Sequence, residues 1–167
     1  GLPMNNKILT ALLALTFMSA ALAGCTSNDD TDDAEPQPDV VKIGFLNPAT
    51  GPLAQDAAGF EYGALQAVID LNAAQTATVF EAVVADSGCD GTVGAAAAQS
   101  LVDANVVAVA GAACSGASMA ANAVLSAAGI PMISYASTNP SLSDATAYPN
   151  FFRVVPSDAI QGPAAAA

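Results

Sequence analysis

The sequence predicts an α/β fold, a Rossmann-like parallel sheet with helices on both faces. Two observations predict it. Short runs rich in Val, Ile and Phe alternate with longer stretches whose apolar residues recur at helical spacing. The short runs are also nearly continuous in apolar residues, as strands covered on both faces are.

Taken in order, "VVKIGFL" (40–46) is a first strand that ends at the loop "NPATGPLAQD". Phe60, Ala64, Ala67, Val68 and Leu71 then fall on one helical stripe. "ATVFEAVVAD" (77–86) is a second strand, and Val93, Ala97, Leu101 and Ala104 mark a second helix. "VVAVAG" (106–111) is a third strand, followed by a helix over about 117–128 that stops near Gly129. "IPMIS" (130–134) and "FFRVV" (151–155) supply two further strands. "PSDAIQGPAAAA" opens another helix and stops within its first turns, so the chain reads as cut short.

The N-terminal part reads as a targeting segment. Met4 looks like a start, Lys7 gives a short positive region, and "ILTALLALTFMSAALA" (8–23) is an apolar run too short for a membrane span. It closes on Leu22-Ala23-Gly24-Cys25, which resembles the prokaryotic lipobox. The expectation is a signal peptide over 1–24 and a lipid-modified Cys25 that anchors the protein stably outside the cytoplasm. Residues 25–39 are acidic and Pro-containing with almost no large apolar side chains, and read as a disordered linker. The head then spans 40–167.

Charge and composition exclude several functions. The chain has a formal net charge of −12, and no acidic residue precedes position 28. Such a head has no electrostatic means of holding nucleic acid. It also has no histidine, the commonest general base and metal ligand. No metal or cofactor is expected.

In open α/β sheets, ligands sit beyond the carboxyl ends of the strands. The loops there are Asn47–Asp56, Asp86–Gly91, Ala112–Ala117 and Tyr135–Ser143. Ser115 lies at the third. A nucleophilic serine needs a base and an orienting group, and "ACSGAS" lacks the first glycine of a nucleophile elbow, because Ala113 stands there. The Gly-Lys-Ser/Thr ending of a phosphate loop and the G-x-G-x-x-G dinucleotide motif are both absent. The chain does not read as an enzyme. A cradle for a small zwitterion fits better: the helix N-terminus and the Ser115 hydroxyl donate to a carboxylate, and Thr138 of "YASTNP" accepts from an ammonium. Tight strand–helix turns with an N-cap serine explain either loop alone, and the pair less well. Cys89 and Cys114 follow the second and third strands, close enough in sequence pattern for either a disulfide or two free thiols.

From Val40 onward the ordered pieces "VKIGFLNPATGPLAQ", "GALQAVIDLNA", "ADSGCD", "GAACSGAS", "GIPMISYASTNPSLSD" and "FFRVVPSDAIQGPAAA" resemble a known family. It is that of the type I periplasmic solute-binding proteins of branched-chain amino acid (Leu/Ile/Val) ABC transporters. The resemblance implies two Rossmann-like lobes closing on a ligand, of which this chain would be the N-terminal lobe, truncated before the second. It implies that Ser115 holds the ligand's α-carboxylate, and that Ala136 and Thr138 engage its carboxylate and ammonium. It further implies a Cys89–Cys114 disulfide, an amino acid as ligand and ABC transporter permease subunits as partners. Other members of the family bind amides, urea or aromatic acids, and a ligand-sensing receptor of the same fold is the alternative role.

Overall fold

The computed structural model describes residues 38–75 and 77–167. The leader, Cys25 and the linker up to residue 37 lie outside the described residues. Five strands form one all-parallel sheet in the order β2-β1-β3-β4-β5. β1 (Asp39–Asn47) and β2 (Thr78–Asp86) pair over their full length, from Asp39 beside Thr78 to Asn47 beside Asp86. β3 (Ala108–Ala110), β4 (Met132–Ser134) and β5 (Phe151–Arg153) are shorter than the apolar runs that contain them. The helices between are α1 (Ala57–Ala74), α2 (Gly91–Asp103) and α3 (Ser115–Ala127). A 3₁₀ turn at Asp158–Ile160 leads into the short α4 (Gln161–Ala166). Among the described residues no helix is long and apolar enough to cross a membrane.

The helix ends follow local chemistry. The Asp90 carboxylate accepts from the amides of Thr92 and Val93 and so caps α2. At the other end of α2, Asn105 takes a left-handed backbone (φ 60°), with Asn105 N donating to Val102 O and Val106 N to Leu101 O. α3 ends in the same way at Gly129 (φ 74°), where Gly129 N reaches Ser126 O and Ile130 N reaches Leu125 O. Each pair of bonds satisfies carbonyls that a bare helix end would leave unpaired.

α2 and α3 lie on one face of the sheet and bury Leu46, Ala97, Ala98, Leu101, Val109, Ala117, Ala121, Leu125 and Met132. Small residues let the two helices meet at backbone distance: a Cβ added at Gly94 would stand 3.0 Å from Ala117 O. α1 lies over the other face near β1, where Tyr135 stacks on Phe45 with ring centroids 5.6 Å apart and meets Phe60 at 5.2 Å. The register sets Phe45, Ala110, Ile133 and Phe152 in one row on this face. Exposure rises along the row from 4% at Phe45 to 44% at Ile133 and 58% at Phe152. Helices thus cover both faces at β1, while the α1 side remains open over β4 and β5 among the described residues.

α1 also protects the outer edge of the sheet. Asn72 donates to Phe80 O at 2.9 Å and accepts from Phe80 N at 2.8 Å, and Gln75 brackets Thr78 in the same way. These side chains occupy ladder groups of β2 that would otherwise be free to pair with another strand. Of the predicted stripe on α1, Phe60, Ala64 and Val68 are half-buried, while Ala67 and Leu71 are exposed.

Candidate functional site

Strand order reverses direction between β1 and β3, and ligand crevices of open α/β sheets form beyond the strand ends at such a point. Two loops built from small residues stand there, Gly111–Cys114 after β3 and Tyr135–Asn139 after β4. Gly111 adopts φ 124°, and a Cβ on it would meet Leu46 O at 2.7 Å, so only glycine lets β3 leave the sheet so close to β1.

Ser115 is the first residue of α3, and Cys114 holds the N-cap position without a side-chain cap hydrogen bond. The reading of Ser115 as an N-cap is therefore corrected, because the helix starts one residue after the cysteine and not at 117. Ser115 Oγ accepts from Asn139 N at 3.2 Å, which joins the two loops. Accepting there leaves the Ser115 hydroxyl proton available to a ligand. Thr138 is placed the opposite way. Its hydroxyl donates to Asp158 Oδ2 at 2.9 Å, so toward a ligand it acts as an acceptor. Ala136 is half-buried, and its amide lies 3.3 Å from Ser134 Oγ, a long contact. The structure brings Ser115, Ala136 and Thr138 together at adjacent strand tips.

Beneath these loops sits a cluster the sequence did not reveal. Ser118, Ser134 and Ser137 are fully buried. Ser118 Oγ accepts from Ala112 N at 3.1 Å and lies 2.8 Å from Ser137 Oγ. Ser134 Oγ donates to Ala112 O at 2.6 Å and accepts from Ser137 N at 2.9 Å. Ser137 Oγ reaches Ala112 O at 3.1 Å and Ala113 O at 3.2 Å. Three hydroxyls from α3, β4 and the next loop thus converge on one peptide group. Their only sequence signal is that they are ordinary serines in apolar surroundings. Arg153, at the end of β5, supports the second loop from outside by donating to Asn139 O at 2.9 Å and to Ser143 Oγ.

Cys89 and Cys114 are joined in a disulfide with their Cα atoms 5.2 Å apart. It ties the start of α3 to the loop after β2. That loop is itself braced by Asp86, whose carboxylate accepts from Thr50 Oγ1 at 2.6 Å, Thr50 N at 3.1 Å and Gly88 N at 2.8 Å. Burial pushes the Asp86 carboxyl up, but these hydrogen bonds outweigh it and hold the group below its ordinary value.

A cavity of about 370 Å³ lies on the α1 side and touches these loops only at Tyr135. Phe45, Phe60, Ala64, Ala110 and Tyr135 line it, and the Tyr135 hydroxyl already donates to Leu46 O. An apolar groove with its polar group engaged does not suit a charged ligand, so the chemistry points to the strand-tip loops. Among the described residues no group of three or more His, Cys, Asp or Glu side chains is placed to hold a metal ion.

Known proteins share this architecture. The family model described as "Receptor family ligand binding region" matches residues 62–167. The Leucine-, isoleucine-, valine-, threonine-, and alanine-binding protein of Pseudomonas aeruginosa is 31% identical over 158 residues, covering 93% of this chain and 40% of that protein. The branched-chain amino acid transporter substrate binding protein LivJ of Streptococcus pneumoniae, solved in complex with isoleucine, superposes with a TM-score of 0.65. It is 34% identical, over 71% of this chain and 34% of that one. Metabotropic glutamate receptor 6 of Rattus norvegicus is 54% identical over 59 residues, 35% of this chain and 7% of the receptor. The chain spans about 40% of the length of the curated binding protein it matches. The chain belongs to the receptor ligand-binding-region family, with the fold of a type I periplasmic binding protein lobe.

Proposed function

We propose that residues 40–167 are the N-terminal lobe of an extracytoplasmic, lipid-anchored solute-binding protein that captures an amino acid and delivers it to an ABC transporter permease. The observation that carries the reading is the opposite polarity of two hydroxyls at neighbouring strand tips. Ser115 has a proton to give, and Thr138 has lone pairs to offer. A carboxylate and an ammonium on one small molecule match that pair. The first amides of α3 lie beside Ser115 and favour negative charge. The five small amino acids named for the Pseudomonas relative, three of them branched-chain, and the isoleucine bound to the Streptococcus protein support a branched-chain amino acid. No bond is made or broken in this role. A second lobe closing over the ligand would bury it and create the surface the permease reads. Anchoring rests on the Leu22-Ala23-Gly24-Cys25 lipobox, with lipid on Cys25.

Titration calorimetry of the full-length protein with leucine tests the reading. Ser115→Ala should weaken binding by roughly 1–3 kcal/mol if its hydroxyl meets a carboxylate. Unchanged affinity would reduce Ser115 to a turn-former. The match to metabotropic glutamate receptor 6 favours a second reading, in which the same lobe senses its ligand and signals. Leucine uptake that persists unchanged in a deletion strain would favour sensing over transport.

A further inference from the structure

We propose that Arg153 is a positioning residue for the ligand carboxylate, acting through Asn139 on the Ser115 hydroxyl. The inference rests on the reading of Ser115 as a carboxylate donor. A hydroxyl hydrogen rotates freely about the Cβ–Oγ bond, so it is aimed at a ligand only when the lone pairs of the same oxygen are engaged elsewhere. Asn139 N engages them by donating to Ser115 Oγ at 3.2 Å. That distance is at the long end of the range, so a small shift of Asn139 breaks the bond.

Asn139 is held differently from the residues before it. Ser137 is locked into the buried serine cluster, and Thr138 is tied to Asp158 through both its carbonyl and its hydroxyl. After Thr138 the chain turns outward. Pro140 keeps Asn139 out of the helical region (ψ 130°), and a 3₁₀ turn over Pro140–Ser143 follows. The Asn139 side chain and carbonyl accept from Ser141 N and Leu142 N, but these bonds lie inside the turn and move with it. Among the described residues, two bonds tie Asn139 to other elements: its amide to Ser115, and its carbonyl, which accepts from Arg153 Nη1 at 2.9 Å. Arg153 also donates to Ser143 Oγ, so one planar guanidinium spans the turn from its cap to its last residue. The guanidinium has a fixed base, because Arg153 ends β5 in register with Ser134 of β4. Its charge-assisted bond is stronger than the neutral amide-to-hydroxyl bond it supports. The rigid strand thus sets where the Asn139 amide stands, and the amide sets where the Ser115 proton goes.

Calorimetry with leucine on the full-length protein and on Arg153→Met, Ser115→Ala and the double variant separates positioning from packing. The expected result is a loss of about tenfold in each single variant, and a double variant no weaker than Ser115→Ala alone. Losses that multiply to about a hundredfold would overturn the assignment, since Arg153 would then act without the serine. So would unchanged leucine affinity in Arg153→Met. Should that variant fail to fold, Arg153→Lys decides in its place, because a lysine keeps the charge but cannot span both acceptors. A loss in Arg153→Lys that disappears in the Ser115→Ala background supports the assignment, and an unchanged affinity or a multiplying loss overturns it. Unchanged affinity in Ser115→Ala alone would sink the reading of Ser115 as a carboxylate donor, and the assignment with it.

Discussion

Replacing the three buried serines one at a time should give unequal losses, and the order follows from where the protons go. Ser134 donates to Ala112 O, and Ala112 N donates to Ser118 Oγ. Assigning the Ser118 proton to Ser137 Oγ and the Ser137 proton to Ala113 O uses every proton once. Ser118→Ala leaves the fully buried Ala112 amide without an acceptor, because a methyl group cannot replace the oxygen. An orphaned buried donor costs about 1–3 kcal/mol. Ser134→Ala does the same to the amide of Ser137, whose bond to Ser134 Oγ is 2.9 Å long, and should cost a similar amount. Ser137→Ala orphans no donor. The Ser118 proton turns to Ala112 O, 3.2 Å away, and only a carbonyl loses a partner. A carbonyl tolerates that better than an N–H does, so the loss should be about 1 kcal/mol or less.

Urea unfolding of the full-length variants, with a common slope, gives the three values. The double variant of Ser118 and Ser137 adds the coupling between them, which their 2.8 Å contact requires to be non-zero. A Ser137→Ala loss as large as that of Ser118→Ala would refute the proton assignment. Three losses near zero would refute the burial of the cluster itself.

Removing the Cys89–Cys114 bond should destabilise the fold by about 3.5 kcal/mol. That figure is the chain-entropy value for a cross-link spanning 25 residues. Urea unfolding with and without reductant measures it, and an unchanged midpoint would show the bond to be thermodynamically idle. Asp86→Asn should be most costly at neutral pH. The native Asp86 carboxyl titrates below its unfolded value, so its stabilisation is present above the unfolded value of about 3.9 and is lost as pH falls through the lower, native one. Wild type and Asp86→Asn should therefore converge in stability toward acid pH, and a gap that is constant or widens there would refute the role.

The strands were legible because parallel pairing needs apolar residues on both faces, which leaves unbroken runs such as that at 106–111. Their ends were not legible, since Val107 and Val154 continue the apolar pattern while standing exposed just beyond β3 and β5, each with its amide still bonded to a neighbouring strand. The start of α3 was misread for a related reason. Cys114-Ser115-Gly116 has the composition of a turn, and only the backbone of its neighbours shows that Ser115 is already helical. Ser115 and Thr138 were found by the rule that places ligands at strand tips. Asp158 was missed because its partner lies 20 residues away, and "PSD" reads locally as nothing more than a helix start. The buried serines carry no periodic signal at all. Nor could the sequence show which part of the sheet lies open, because apolar periodicity marks a face without naming what covers it.

One chain of causes links the smallest residues to the site. α2 and α3 follow parallel strands and so begin at the same end of the sheet, and Gly94 and Ala117 bring them to backbone contact. That placement sets Cys89, just before α2, against Cys114, just before α3, at the separation a disulfide needs. With α3 fixed at its first residue, Ser118 one turn further on can reach back to the Ala112 peptide and forward to Ser137. The second loop is thereby held to the first, and Asn139 can donate to Ser115. Large side chains at any of these steps would part the loops, which is why the site is written in Gly, Ala and Ser. Charge enters at its border, from Asp158 bonded to Thr138 and Arg153 bonded to Asn139 O, both only half-buried.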